Sequence, residues 1–95
     1  MQALASKTTA YVPAGGLPMH GRLAVFDEHL VFYDQDGIPL ITIPRDTIYA
    51  VVSERRLLRG RRMRIRTVNG DFTFNDGYRE LHDLLAGPAA ATAAF

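Results

Sequence analysis

The stretch Arg61-Arg-Met-Arg-Ile-Arg-Thr-Val-Asn-Gly-Asp-Phe-Thr-Phe74 reads as a β-hairpin. Its centre, Asn69-Gly70, is the strongest short-range turn signal, because a two-residue type I′ turn needs positive φ at both central positions. With those two residues as the turn, Thr67 faces Phe72 and Ile65 faces Phe74. Side chains alternate along a strand with period two. Met63, Ile65, Thr67, Phe72 and Phe74 therefore share one face, and Arg62, Arg64, Arg66, Val68, Asp71 and Thr73 the other. One face suits a core and the other is crowded with arginine.

Upstream the same period recurs. Leu23 and Val25 alternate with Ala24 and Phe26, Asp27-Glu28 marks a turn, and Leu30 and Phe32 alternate with Val31 and Tyr33. Pairing across that turn sets Val25 opposite Leu30 and Leu23 opposite Phe32. The reverse face is also apolar enough that something should cover part of it. A short strand is expected at Thr8–Val12, before the break at Pro13 to Pro18. Another is expected at Leu40–Ile43, confined by Pro39 and Pro44 to a short or edge position. Thr47–Ser53 follows, with Ile48, Ala50 and Val52 alternating with Tyr49, Val51 and Ser53. An arginine-rich loop is expected over Arg55–Arg61.

After Phe74 the period changes to 3.6. Tyr78, Leu81, Leu84 and Leu85 form one helical stripe, Asn75 or Asp76 is a candidate N-cap, and Gly87-Pro88 marks the expected end. Such a helix is too short to stand alone in water and must dock its leucine face on the sheet. The expected organisation is a lead-in over 1–18 with a possible first strand, a core over 19–87 and a mobile Ala-rich tail over 88–95.

A chain of 95 residues, 47% hydrophobic and 22% charged, is ordinary globular material with one core. It contains no cysteine, no apolar run long enough for a membrane span and no secretory-type N-terminal segment, so a cytoplasmic location is the default. The net charge of +1 conceals an asymmetry. Seven of the eleven basic residues, Arg55, Arg56, Arg59, Arg61, Arg62, Arg64 and Arg66, lie in one run with no acid. The other four face all ten acidic residues, a balance of −6. The run gives a local cationic field that the total hides.

Gly21-Arg-Leu23, Leu30-Val-Phe32, Ile43-Pro44-Arg-Asp-Thr-Ile48 with Val51, Met63-Arg-Ile65-Arg-Thr67, Asn69-Gly70, Phe72 and Phe74 carry, in order, the core and turn positions of a known family. From Gly21 to Leu85 the chain resembles the GRAM-type and bacterial PH-like members of the pleckstrin-homology-like superfold. The resemblance implies a mainly β fold: a bent two-sheet β-barrel of six or seven antiparallel strands capped by one C-terminal α-helix. It also implies a module that binds lipid or protein and is not an enzyme. Phosphoinositide-binding members hold their basic residues around the first hairpin, where this chain has only Lys7 and Arg22, so inositol-phosphate specificity does not carry over. A second likeness is to the first Sm motif, through Gly21, Leu23, Asp27 and Leu30, with Leu58-Arg59-Gly60 similar to the second. Val31 replaces the base-contacting Asn of that family, and the helix lies at the wrong end.

The arginines suit an anionic surface. Arg62, Arg64 and Arg66 stand about 7 Å apart on one strand face. A basic residue near anionic lipid is worth about 1 kcal/mol. The alternative is a solvated face partly neutralised by Asp71 and Glu54. Leu57 and Leu58 either insert at a membrane interface between guanidinium groups or tuck beneath the loop. No aromatic residue lies between Arg55 and Arg66 for base stacking, which favours lipid or an acidic protein over nucleic acid. The rival surface is apolar: Phe26, Val31, Tyr33, Tyr49 and Val51, with Ala24, would form a protein interface or a homo-oligomer contact.

Signals for catalysis are weak. His20, His29 and His82 lack metal-ligand spacing, Ser6 and Ser53 lie in no nucleophile elbow, and no phosphate-binding glycine loop occurs. No catalytic residue, metal or cofactor is expected.

Overall fold

The computed structural model describes residues 2–56 and 60–93, with side chains for 2–55 and 62–85. Seven strands and one helix follow in order: β1 (Ala5–Tyr11), β2 (Met19–Val25), β3 (His29–Asp34), β4 (Pro39–Pro44), β5 (Ile48–Arg56), β6 (Gly60–Thr67), β7 (Gly70–Phe74) and α1 (Tyr78–Ala93). A single 3₁₀ turn, Arg45–Thr47, joins β4 to β5.

All pairings are antiparallel, and the strands form one sheet in the order β4-β3-β2-β1-β7-β6-β5. Every neighbouring pair is a sequential hairpin except β1 with β7. Those two meet at Tyr11 opposite Phe74, with backbone bonds from Val12 N–H to Thr73 O (2.8 Å) and from Asn75 N–H to Ala10 O (2.9 Å). The Tyr11 ring lies 6.1 Å from Phe32 and 5.6 Å from Phe74, so one aromatic cluster spans this seam. The outermost strands are β4 and β5, and no ladder joins them among the described residues; the sheet is open.

One core forms where the alternating residues of both halves converge. Leu23, Val25, Leu30, Phe32, Ile43, Met63, Ile65 and Phe74 are buried, and α1 adds Leu81 and Leu85. Burying each leucine contributes about 2 kcal/mol, which is how a helix of marginal intrinsic stability is held. The register of β2 with β3 is the predicted one, Leu23 opposite Phe32 and Val25 opposite Leu30.

The β6–β7 hairpin forms with a different register from the one its sequence suggests. Thr67 pairs with Gly70, Ile65 with Phe72 and Met63 with Phe74, so the turn residues are Val68 and Asn69. No non-glycine residue has positive φ among those described, which excludes type I′; Gly70 alone takes φ 128°. The Thr67 hydroxyl braces the turn, accepting from Asn69 N–H (3.1 Å) and donating to Gly70 O (2.8 Å). The shift is by two residues, so the assignment of side chains to faces survives it.

Three other boundaries depart from expectation. The strands β5 and β6 run to Arg56 and from Gly60, so most of the expected arginine-rich loop is ladder. A bulge between Ile48 and Ala50 puts both Ile48 and Val51 against the core and leaves Tyr49 60% exposed. At the start of α1 the cap position is taken by Gly77, with φ 113°, whose carbonyl accepts from Leu81 N–H. Asp76 Oδ1 accepts from Gly77 N–H instead, and Thr9 Oγ1 bonds both the N–H and the carbonyl of Asp76 (3.0 and 2.9 Å).

The helix also continues through Gly87 and Pro88 to Ala93. Proline has no N–H to give the carbonyl four residues back, which here is Leu84. Arg45 Nη2 donates to Leu84 O in its place, while Nη1 bonds Phe26 O (3.1 Å) and Asp27 O (3.0 Å).

Candidate functional site

The ladder divides the arginine run between two faces. Arg62, Arg64 and Arg66 alternate with the core residues Met63 and Ile65 and lie on the outer face of β6. Arg55 pairs with Arg61, one step out of phase with Arg62, at the end of the β5–β6 ladder. Arg56 lies opposite Gly60 at its last rung. Leu57, Leu58 and Arg59 lie outside the described residues.

The outer row meets protein partners. Arg64 Nη2 lies 2.7 Å from Glu54 Oε1, and Arg66 Nε lies 3.5 Å from Asp71 Oδ2. Arg62 Nε donates to Asn75 Oδ1 at 3.3 Å. The Arg66 guanidinium also sits 5.9 Å from the centre of the exposed Tyr49 ring, within cation–π range. These ion pairs are more than a third exposed and contribute little stability. Their effect is electrostatic: two acids compensate two of three cations on this face. The Arg64 Nε atom is shielded from solvent and has no hydrogen-bond partner among the described residues.

Arg55 is exposed and makes no ion pair among the described residues. Like charges directly opposite in a ladder are destabilising unless an anion is shared between them. Among the described residues Arg55, at the end of the hairpin, is therefore an uncompensated cation of the run, whereas Arg64 and Arg66 on the outer row are compensated. This division follows from β5 placing Glu54 beside the outer row and Arg55 out of phase with it.

The apolar residues expected to form an interface do not make one surface. Val51 packs against the core, and Ala24 and Val31 are 4% and 6% exposed. Phe26 and Tyr33 are half-buried on the other half of the sheet from Tyr49. The histidines are likewise dispersed: His29 stacks on Phe26, His82 lies against Tyr78, and His20 is exposed. Among the described residues no three His, Cys, Asp or Glu side chains are grouped to hold a metal ion. No helix among them is long and apolar enough to cross a membrane.

Arg45 was not singled out by sequence reasoning. The available signal is Pro88 four residues after Leu84, which orphans a carbonyl, but the donor comes from a distant segment and has no local pattern.

No family model matches the chain, and no curated protein matches it. Among solved structures it is similar to the C-terminal domain of an unknown protein from Leishmania infantum. The match has a TM-score of 0.77 and 16% identity, covering 90% of this chain and 81% of that one. That likeness is one of fold.

Proposed function

We propose that the chain is a non-enzymatic binding module of the PH-like, GRAM-type kind, its sheet bent into a two-layer barrel under α1. Its ligand is an anionic membrane surface, at the inner face of the membrane in a cytoplasmic setting. The seven antiparallel strands followed by a single C-terminal helix support the family reading. The ligand reading rests on one observation: Arg55, exposed and without an ion pair among the described residues, lies opposite Arg61 at the end of a ladder in which Arg64 and Arg66 already meet acids. A headgroup layer supplies several phosphates at once and relieves that repulsion, with Arg56 and Arg59 adding charge and Leu57 and Leu58 adding apolar contact.

The test is cosedimentation with vesicles of rising phosphatidylserine content. Wild type should bind in proportion to the anionic fraction and release with salt. The Arg55→Glu, Arg61→Glu double variant should lose about 25-fold or more, from about 1 kcal/mol per neutralised residue. The Arg64→Glu, Arg66→Glu variant should lose less. Equal binding to neutral vesicles sinks the proposal. Binding to a short RNA with the same arginine dependence, and none to vesicles, transfers the surface to nucleic acid. Failure with both ligands turns the reading to an acidic protein partner.

A further inference from the structure

The half of the sheet away from the arginines carries a separate feature on the face opposite the core. Ser6, Arg22, Ala24 and Tyr33 occupy outward register positions of β1, β2 and β3. Together with Thr8 and Phe26 they line an open groove of about 730 Å³. That volume lies in the range of small-molecule sites.

The groove exists because its floor is made of small side chains and its rim of large ones. Ala24 and Ser6 are paired across β2 and β1, leaving a depression on that face. Phe26 is held at one end by stacking on His29 at 5.1 Å. Tyr33 lies opposite Arg22 on the neighbouring strand. Ala24 is 4% exposed although it faces away from the core, so neighbouring groups close in around it at the base of the groove.

The groove holds one cation without a partner. Arg22 is exposed and, like Arg55 and Arg79, makes no ion pair or hydrogen bond among the described residues, in contrast to Lys7, Arg45, Arg62, Arg64 and Arg66. The carboxylate that also lines the groove, Asp34, is engaged within its own turn, its Oδ1 accepting from Asp36 N–H and Ile38 N–H at 2.9 Å each. A free guanidinium across from Tyr33, in a groove that also holds Phe26 and an alanine floor, matches a ligand with one anionic group and a flat apolar body.

We propose that this groove binds a small amphipathic organic anion, its acid group on Arg22 and its apolar part over Ala24 between Phe26 and Tyr33. The site is independent of the arginine hairpin and neither reading requires the other. The probe is anilinonaphthalenesulfonate, followed by amide NMR on the full chain, with the uncharged N-phenylnaphthylamine as its neutral counterpart.

Shifts should appear at Ser6, Thr8, Arg22, Ala24 and Tyr33. Arg22→Gln should weaken the sulfonate about tenfold or more, as loss of a charged hydrogen bond does, and leave the neutral probe within about twofold. Ala24→Phe forces a ring into the covered base of the groove and should abolish binding of both. Absence of sulfonate binding by wild type, shifts confined to β5–β7, or an unchanged sulfonate affinity in Arg22→Gln would each overturn the proposal. Arg22→Gln decides it even if the Ala24 variant folds poorly.

Discussion

Arg45 donates to the Leu84 carbonyl, the one that Pro88 leaves without its helical N–H. The same guanidinium holds the Phe26 and Asp27 carbonyls at the β2–β3 turn, so one side chain ties an early hairpin to the C-terminal helix. Arg45→Met should cost about 3 kcal/mol, the range for losing charged hydrogen bonds with carbonyls left behind. Pro88→Ala restores a donor to Leu84, so it should stabilise Arg45→Met by more than it stabilises wild type. A double-mutant cycle by urea denaturation measures the difference; additivity of the two changes would show that the bond and the proline are unrelated.

Glu54 should act as a brake on anion binding, because it holds Arg64 at 2.7 Å. Glu54→Gln frees one guanidinium and should raise affinity for phosphatidylserine vesicles about fivefold, from about 1 kcal/mol per basic residue. This sign is opposite to that of any arginine loss. A fall in affinity would argue that Glu54 positions Arg64 for the ligand.

Gly70, at φ 128°, should tolerate no side chain cheaply, and Gly70→Ala should lower stability by about 1 kcal/mol or more. Asn69→Ala should change it by less than about 0.5 kcal/mol, since Asn69 is not in the left-handed region. Thermal melts of the two variants distinguish this turn from the type I′ alternative, in which both would be costly.

Thr9 is 5% exposed and its hydroxyl satisfies both backbone groups of Asp76. Thr9→Val keeps the shape and strands those groups, so about 2 kcal/mol should be lost. Hydrogen exchange at the first turn of α1 should speed up in the variant, and unchanged protection there would remove Thr9 as the tether.

At Gly21 a Cβ would lie 2.0 Å from Tyr33 O and 2.9 Å from Phe32 Cζ. Gly21→Ala therefore requires β2 and β3 to separate. The variant should lose about 3 kcal/mol or more, or fail to fold, as judged by circular dichroism.

The faces of the strands were legible in the sequence because period-two alternation is a local property. Leu23, Val25, Leu30, Phe32, Met63, Ile65 and Phe74 are all core residues, as their spacing indicates. Turn geometry was less legible: Asn-Gly favours type I′, but the Thr67 hydroxyl stabilises a different turn one residue earlier. The bulge beside Tyr49 inverted the parity of Val51, which no local pattern announces. The end of α1 was misplaced for a similar reason, since the donor that serves the proline-orphaned carbonyl comes from Arg45. For the arginine run, composition revealed the charge. Its division into compensated and uncompensated parts depended on which strand β6 would meet.

The seam at Tyr11 and Phe74 bears on how the chain reaches its fold. All other strand pairs join neighbours in sequence and close short loops, whereas this one joins the first strand to the last. The loop entropy of that closure is repaid only once both hairpin-built halves exist to present Tyr11, Phe32 and Phe74 to one another. The rate-limiting step of folding should therefore be the meeting of two preformed halves, with contact order concentrated in a single junction. Substitutions at Tyr11 should slow folding, and those in the outer β3–β4 hairpin should mainly speed unfolding.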